Sequence, residues 1–124
     1  MKTDLLKIIP VLPSSNLKRD IEWYEKKLGF TQHFSDDMYA VLSREELVIH
    51  LQWHADTFDD PLLGGSVIRI YVKNIKALFN EMIERGTVTK ASFKSNTPWQ
   101  TNEFGFYDLN KNAIFIMEDV ISEI

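Results

Sequence analysis

Residues 16–30 read NLKRDIEWYEKKLGF, and this stretch contains the helix pattern by which the chain can be divided into two halves. It opens with Asn16, a residue type that caps helix N-termini. It closes with Gly29, which readily adopts the left-handed conformation that ends a helix. Between them, apolar residues recur at helical spacing: Leu17, Ile21, Tyr24 and Leu28. The stretch therefore predicts an amphipathic helix over 17–28.

The same arrangement returns in the second half of the chain. Asn74 occupies the cap position and Gly86 the end. The apolar face between them consists of Ile75, Leu78, Phe79, Met82 and Ile83. Two helices framed in the same way indicate a weak internal repeat.

Short apolar and β-branched runs on both sides of each helix predict strands. The first helix is preceded by 5–12 and followed by 30–34, 39–42 and 47–53; the second is preceded by 66–72 and followed by 88–93, 103–108 and 113–118. This order predicts an α+β fold of two βαβββ modules in one domain, 1–124. The first module covers about 1–54 and the second about 66–124, with a linker at 55–65. Pro10 cannot donate a ladder hydrogen bond, so the first strand should lie at a sheet edge.

The strand at 47–53 shows which side chains should share a face. Side chains alternate along a strand, so Ile49 and Leu51 point one way, and His50 and Gln52 point the other. His54 has the same parity as His50, but four strand residues separate them by about 13 Å, which is too far for one metal ion without a bend.

Composition narrows the class of protein. The chain has 124 residues, the length of one domain, and no cysteine, which excludes disulfides and thiol nucleophiles. Its net charge of −4 argues mildly against nucleic-acid binding. The sequence contains no apolar run of about 18 residues that would cross a membrane, and its N-terminus lacks the apolar core of a signal peptide. We expect a soluble, cytoplasmic protein.

Several local motifs resemble the vicinal-oxygen-chelate superfamily, which includes glyoxalase I, extradiol dioxygenases and bleomycin-resistance proteins. The Tyr24…Leu28-Gly29-Phe30 pattern marks the superfamily. Thr97-Pro98-Trp99 and the Phe34…Asp36-Asp37-Met38-Tyr39 stretch look more like the bleomycin-resistance branch. The other matching stretches are Ile9-Pro10-Val11-Leu12 and Glu103-Phe104 leading to Asp108 and Asn112.

This resemblance implies sheets that curl into a cleft with the helices outside. It also implies a homodimer with small-molecule sites at the interface, and an N-terminal strand that can be exchanged between chains at Pro10. In the superfamily's enzymes, strand residues bind a metal; the corresponding positions here fall near Ile9, Val67 and Phe115, which cannot bind one, and only His50 could. We therefore expect no cofactor, no metal and no catalytic residues.

The resemblance also implies the ligand-binding residues. The bleomycin-binding branch sandwiches the planar tail of the drug between aromatic side chains, and Phe34, Tyr39 and Trp99 match those positions. The remaining expected cleft residues are His50, Gln52, Arg69 and Phe115. Asp36 and Asp37 could attract a cationic drug. The implied function is sequestration of a bleomycin-type antibiotic without catalysis.

Other interpretations stay open for individual residues and for the function. Phe34 could be a core residue, Trp99 could pack at a dimer interface, and Arg69 could pair with Glu103. The chain could instead be a metal-dependent lyase, isomerase or dioxygenase of the same superfamily, or it could bind an unknown metabolite.

Overall fold

The computed structural model describes residues 2–62 and 64–120. Seven strands and two α-helices follow one another along these residues. Their order is β1 (Val11–Ser14), α1 (Leu17–Leu28), β2 (Thr31–Ser35), β3 (Tyr39–Arg44), β4 (Leu47–Trp53), β5 (Val67–Tyr71), α2 (Ile75–Glu84), β6 (Thr101–Tyr107) and β7 (Ala113–Asp119). The α+β fold predicted from the sequence is confirmed.

The strands form two small mixed sheets. Sheet A has the order β1-β4-β3-β2, and sheet B has the order β5-β7-β6. In each sheet the strand that precedes the helix pairs in parallel with the last strand of its half, and the other pairs are antiparallel. β1 is an edge strand, as the proline at position 10 predicts.

The first helix forms where the sequence places it. The Asn16 side chain accepts a hydrogen bond from the Arg19 backbone N–H at 3.0 Å. Gly29 has φ = 72°, and its backbone N–H closes the last turn of α1. Tyr24 and Leu28 are buried on the face that packs against sheet A.

The second helix begins differently from the prediction. Asn74 lies at the cap position with φ = 59°, but its side chain makes no capping bond. The Glu118 carboxylate on β7 accepts hydrogen bonds from the backbone N–H groups of Asn74 and Ile75 instead. A carboxylate from the neighbouring strand therefore takes the role that the sequence assigned to the asparagine.

Two of the predicted strands are wrong. The strand predicted at 88–93 is absent; the described chain has a 3₁₀ helix there, Lys90–Ser92, and a single bridge between Lys94 and Glu103. Ser92 turns this segment back by bonding the Thr89 carbonyl with both its N–H and its hydroxyl. The strand predicted at 5–12 is wrong over most of its length, because β1 begins at Val11.

The two halves share one core. Buried residues of both halves, such as Leu42, Leu51, Phe104 and Ile114, belong to a single apolar cluster. The β6–β7 turn packs on α1, where the Tyr24 hydroxyl donates to Asp108 Oδ2 at 2.7 Å. Burial and the neighbouring Asp108 carboxylate raise the pKa of Tyr24, so the phenol stays protonated. This packing leaves one face of each sheet open on the side away from the core.

Candidate functional site

The open face of sheet A carries four of the predicted site residues. Phe34 lies opposite Val41, which lies opposite His50, and Tyr39 lies opposite Gln52. Residues paired across neighbouring strands share a face. The alternation predicted for β4 is confirmed, because Ile49 and Leu51 are buried on the other face. Phe34, Tyr39, His50 and Gln52 therefore line one surface.

Two of these residues form a pair. The Tyr39 hydroxyl lies 2.8 Å from His50 Nδ1, and their rings meet edge to face with centroids 5.2 Å apart. The pair fixes both side chains on the sheet. Phe34 is not a core residue, since 51% of its surface is exposed. With Phe34 exposed on the same face as this Tyr–His pair, the open surface of sheet A is partly aromatic and apolar.

The open face of sheet B carries two of the other predicted residues, Arg69 and Phe115, and the third, Trp99, lies beside it. Arg69, Phe115 and Gly105 lie in one row across β5, β7 and β6. The Arg69 guanidinium lies 5.0 Å from the centroid of the Phe115 ring, a cation–π contact. Trp99 lies in the loop before β6 and is 61% exposed. Arg69 thus contacts an aromatic ring, and no described ion pair joins it to Glu103.

Gly105 determines how the Phe115 ring lies on sheet B. A Cβ at position 105 would approach within 2.7 Å of the Phe115 ring, which no side chain could tolerate without a shift. The missing side chain lets the ring of Phe115 approach the backbone of β6 closely. A groove of about 290 Å³ opens beside this ring, with Lys94, Glu103 and Tyr107 among its lining residues. Its size and its mixture of apolar and polar groups suit a small planar group.

Glu103 is a residue of this surface that the sequence-based site left out. It is buried, with 5% of its surface exposed. Its Oε1 accepts one hydrogen bond from the Trp99 indole at 2.6 Å and another from the Thr101 hydroxyl at 2.6 Å. Period-two alternation along β6 was the available signal, because it places Glu103, Gly105 and Tyr107 on one face.

The end of β4 is tied to the linker. His54 Nδ1 lies 2.7 Å from Asp60 Oδ1, and the Ala55 backbone N–H donates to Asp60 Oδ2 at 2.8 Å. The Ala55 N–H, followed by the His54 ring, holds the pKa of Asp60 below its usual value. His54 therefore anchors the segment after β4 and does not face sheet A as a free imidazole.

The three positions that the resemblance assigned to metal ligands carry apolar side chains. Val67 and Phe115 lie on the open face of sheet B, and Ile9 precedes β1. His50, the remaining candidate, is paired with Tyr39. Over residues 2–62 and 64–120, the structure contains no group of three or more His, Asp or Glu side chains placed to hold a metal ion. The two α-helices among the described residues, 12 and 10 residues long, are too short to span a bilayer.

Two contacts join predicted site residues, and each lies within its own sheet. Tyr39 contacts His50 on sheet A, and Arg69 contacts Phe115 on sheet B. The structure thus gathers the seven predicted residues into two groups on two open faces.

Comparison with known proteins gives a consistent result. No family model matches the chain. Bleomycin resistance proteins from Geobacillus stearothermophilus and Staphylococcus aureus are each 28% identical to it over 132 aligned residues, covering 95% of this chain and all of the relative.

Solved structures share the fold. The bleomycin resistance determinant encoded on transposon Tn5 superposes with a TM-score of 0.78 at 18% identity, covering 94% of this chain and 100% of that one. A bleomycin-binding protein complexed with bleomycin superposes with a TM-score of 0.75 at 20% identity, covering 94% and 99%. In sequence along nearly its whole length, and in fold, this chain is similar to the bleomycin-resistance branch of the glyoxalase/bleomycin resistance/dioxygenase superfamily, as its motifs predicted.

Proposed function

We propose that this chain binds a bleomycin-type antibiotic, cationic and partly planar, and protects by sequestering it without breaking a bond. The observation that carries the proposal is the pair of half-exposed aromatic side chains, Phe34 on sheet A and Trp99 beside sheet B. An exposed aromatic surface of this kind favours a planar ligand. The full-length similarity to bleomycin resistance proteins supports the identity of that ligand.

The seven residues predicted from the sequence form the binding site in this proposal. Phe34 and Trp99 stack on the planar part of the drug, from opposite sides. Tyr39, His50 and Gln52 supply polar contacts from sheet A, and Arg69 and Phe115 complete the surface of sheet B. The net charge of −4 favours the approach of a cation.

The site is completed by a second copy of the chain. The predicted residues lie in two groups, one on sheet A and one on or beside sheet B, and among the described side chains no hydrogen bond or cation–π contact joins the two groups. We propose a cytoplasmic homodimer in which sheet A of one protomer faces sheet B of its partner, so that two equivalent sites form. Each chain contributes as a single domain of two modules, about 1–54 and 66–124, joined by the linker at 55–65.

The residues before β1 support the dimer. Leu5, Leu6 and Ile8 are 97%, 87% and 94% exposed. The Pro10 carbonyl accepts a hydrogen bond from the His50 N–H at 3.0 Å, and the chain leaves the sheet before that point. In the proposed dimer, the segment before Pro10 crosses to the partner, where its leucines and isoleucine are covered.

Calorimetric titration with bleomycin tests the proposed ligand. We expect saturable binding, one drug per protomer, with a dissociation constant that is micromolar or tighter. Trp99→Ala should weaken binding about ten- to a hundredfold, because it removes both a stacked ring and the apolar area that the ring buries. Phe34→Ala should have a similar effect.

Phe58→Ala is the matched control, since Phe58 lies in the linker with 99% of its surface exposed. It should bind bleomycin like the wild type. Wild-type protein that takes up no drug at micromolar concentration would contradict the drug assignment. A Trp99→Ala variant with unchanged affinity would contradict the proposed anchor. Stoichiometric divalent metal in the purified protein would favour the enzymes of the superfamily instead.

A further inference from the structure

We infer that Glu103 is a positioning residue for the ligand site, which fixes the plane of the Trp99 ring. This inference rests on the proposed function, in which Trp99 stacks on a planar ligand. Glu103 itself need not touch the ligand. Its role follows from where its carboxylate lies and from what donates to it.

Hydrogen bonds fix the backbone around Trp99, but packing alone does not fix its side chain. The Thr97 N–H donates to the Thr101 carbonyl at 2.9 Å, and the Gln100 N–H donates to the Thr97 carbonyl at 2.9 Å, which closes a tight turn around position 99. The indole itself is 61% exposed, so little packing restrains its torsions. A side chain in this situation loses rotational freedom when a ligand stacks on it, which weakens binding.

The hydrogen bond to Glu103 removes that freedom before the ligand arrives. The Trp99 indole N–H donates to Glu103 Oε1 at 2.6 Å, and a hydrogen bond to a carboxylate is stronger than one between neutral groups. The acceptor lies on β6, a strand paired along its whole length with β7. The edge of the indole is thereby attached to a rigid part of the sheet, and its face is left open.

The carboxylate is itself held in place. The Thr101 hydroxyl donates to the same Oε1 at 2.6 Å and lies 2.8 Å from the Thr97 hydroxyl. Glu103 and Thr101 are both buried, at 5% and 2% exposure. Burying a charged carboxylate this deeply costs free energy unless hydrogen-bond donors satisfy its oxygens. An apolar side chain could fill the same volume without that cost. Because the Trp99 indole and the Thr101 hydroxyl both donate to Glu103 Oε1, the position of this oxygen determines how both side chains are oriented.

The test begins with the free protein, so that it does not depend on the ligand. In a ¹H–¹⁵N spectrum, the indole resonance that disappears in Trp99→Phe identifies Trp99. We expect its proton to exchange slowly with water in the wild type. Exchange should be at least tenfold faster in Glu103→Leu, and it should stay slow in Glu103→Gln, whose amide oxygen can still accept the bond. Equal exchange rates in the wild type and Glu103→Leu would overturn the inference.

Bleomycin affinity gives the second readout. Glu103→Leu should weaken binding about three- to tenfold, the cost of immobilising one free side chain. Glu103→Gln should weaken it less than twofold, because the hydrogen bond rather than the charge is required. In a Trp99→Phe background, which lacks the indole N–H, Glu103→Leu should have no further effect. Additive effects, or Gln binding as poorly as Leu, would overturn the inference.

Two variants guard against misinterpretation. Thr101→Val removes the donor that holds Oε1 but keeps the indole bond, so it should speed exchange and weaken binding less than Glu103→Leu does. Glu103→Ala replaces Glu103→Leu if the latter does not fold, as judged by circular dichroism. If wild-type protein fails to bind bleomycin, the proposed function fails, whereas the exchange measurement still decides whether Glu103 positions Trp99.

Discussion

Glu81 on α2 lies outside the proposed site and binds two arginines through one carboxylate. Its carboxylate accepts two hydrogen bonds from the Arg44 guanidinium, each 2.8 Å long, and one from Arg85 Nε at 2.7 Å. Arg44 belongs to the end of β3, so the ion pair joins the two halves. The hydrogen bonds from Arg44, ahead of those from Arg85, lower the pKa of Glu81 from 4.5 to about 2.

The lowered pKa gives a prediction with a definite sign. A carboxyl group whose pKa is lower in the folded state stabilises the fold fully above its unfolded pKa, and loses this effect as the pH falls from 4.5 toward 2. Glu81→Gln should lower the free energy of unfolding at pH 7 by about 1–2 kcal/mol, less than the full pKa shift implies because the carboxylate is partly exposed.

Urea unfolding at pH 7 and pH 2.5 measures this difference. The gap between wild type and Glu81→Gln should shrink at the lower pH, because the carboxyl group of unfolded Glu81 is then protonated and pH 2.5 lies close to the folded-state pKa of about 2. Glu84→Gln, an exposed change on the same helix, is the control and should be neutral at both pH values. A gap of equal size at both pH values would contradict the ion pair as its cause.

The site shows how far residue-level inference from sequence could go. Strand alternation was sufficient to place His50 and Gln52 on the open face, because parity depends only on the strand existing. Trp99 was identified as a candidate from its motif. Its bond to Glu103 could not be foreseen, because that bond depends on a turn at 97–101 and on side-chain torsions that no periodicity encodes.

The two halves differ in how their helices begin. Asn16 and Asn74 occupy matching positions in the sequence, but only Asn16 makes a capping bond. Asn16→Ala should therefore destabilise the protein by about 1 kcal/mol. Asn74→Gly should cost nothing or stabilise slightly, because Asn74 has φ = 59° and glycine adopts that conformation without strain.

Thermal unfolding of both variants checks this asymmetry. Glu118→Gln is the companion variant, and we expect it to destabilise the protein. The Glu118 carboxylate accepts hydrogen bonds from the backbone N–H groups at the start of α2, where a negative charge is favourable. Equal losses from Asn16→Ala and Asn74→Gly would contradict the difference between the two helix starts.

The strands show where element prediction fails. The boundaries of β4 were predicted correctly at 47–53, because its alternation is strict and turn residues flank it. The strand expected at 88–93 is replaced by a 3₁₀ turn: Phe93 packs on Phe79 with ring centroids 4.9 Å apart, and Ser92 bonds back to Thr89. The conformation of this segment depends on its packing against α2, which the local sequence pattern does not reveal.

At the scale of the whole molecule, the segment before β1 carries apolar side chains that do not pack against the shared core. Leu5, Leu6 and Ile8 are almost fully exposed in the single chain. Burying each such side chain contributes roughly 1.5–3 kcal/mol, so the six in a dimer contribute on the order of 10 kcal/mol. That is comparable with the cost of association, about 4–15 kcal/mol, so the exchanged segments would contribute a large share of the dimer's stability.

A double variant, Leu6→Asp with Ile8→Asp, tests whether these side chains join two copies. Both residues are exposed in the single chain, so the fold of each half should survive, as judged by circular dichroism. The mass measured by light scattering should fall from that of a dimer to that of a monomer. Bleomycin binding should fall with it, because in the proposed dimer each site draws on sheet A of one chain and sheet B of the other.

Thr3→Asp is the matched control, since it adds a charge to the same exposed segment without removing apolar surface. It should remain dimeric and bind the drug. Wild-type protein that is monomeric at tens of micromolar, yet binds one bleomycin per chain, would show that one chain brings its own two sheets together around the ligand. In that case the exposed leucines would need another explanation, and Phe34 and Trp99 of the same chain would have to face each other.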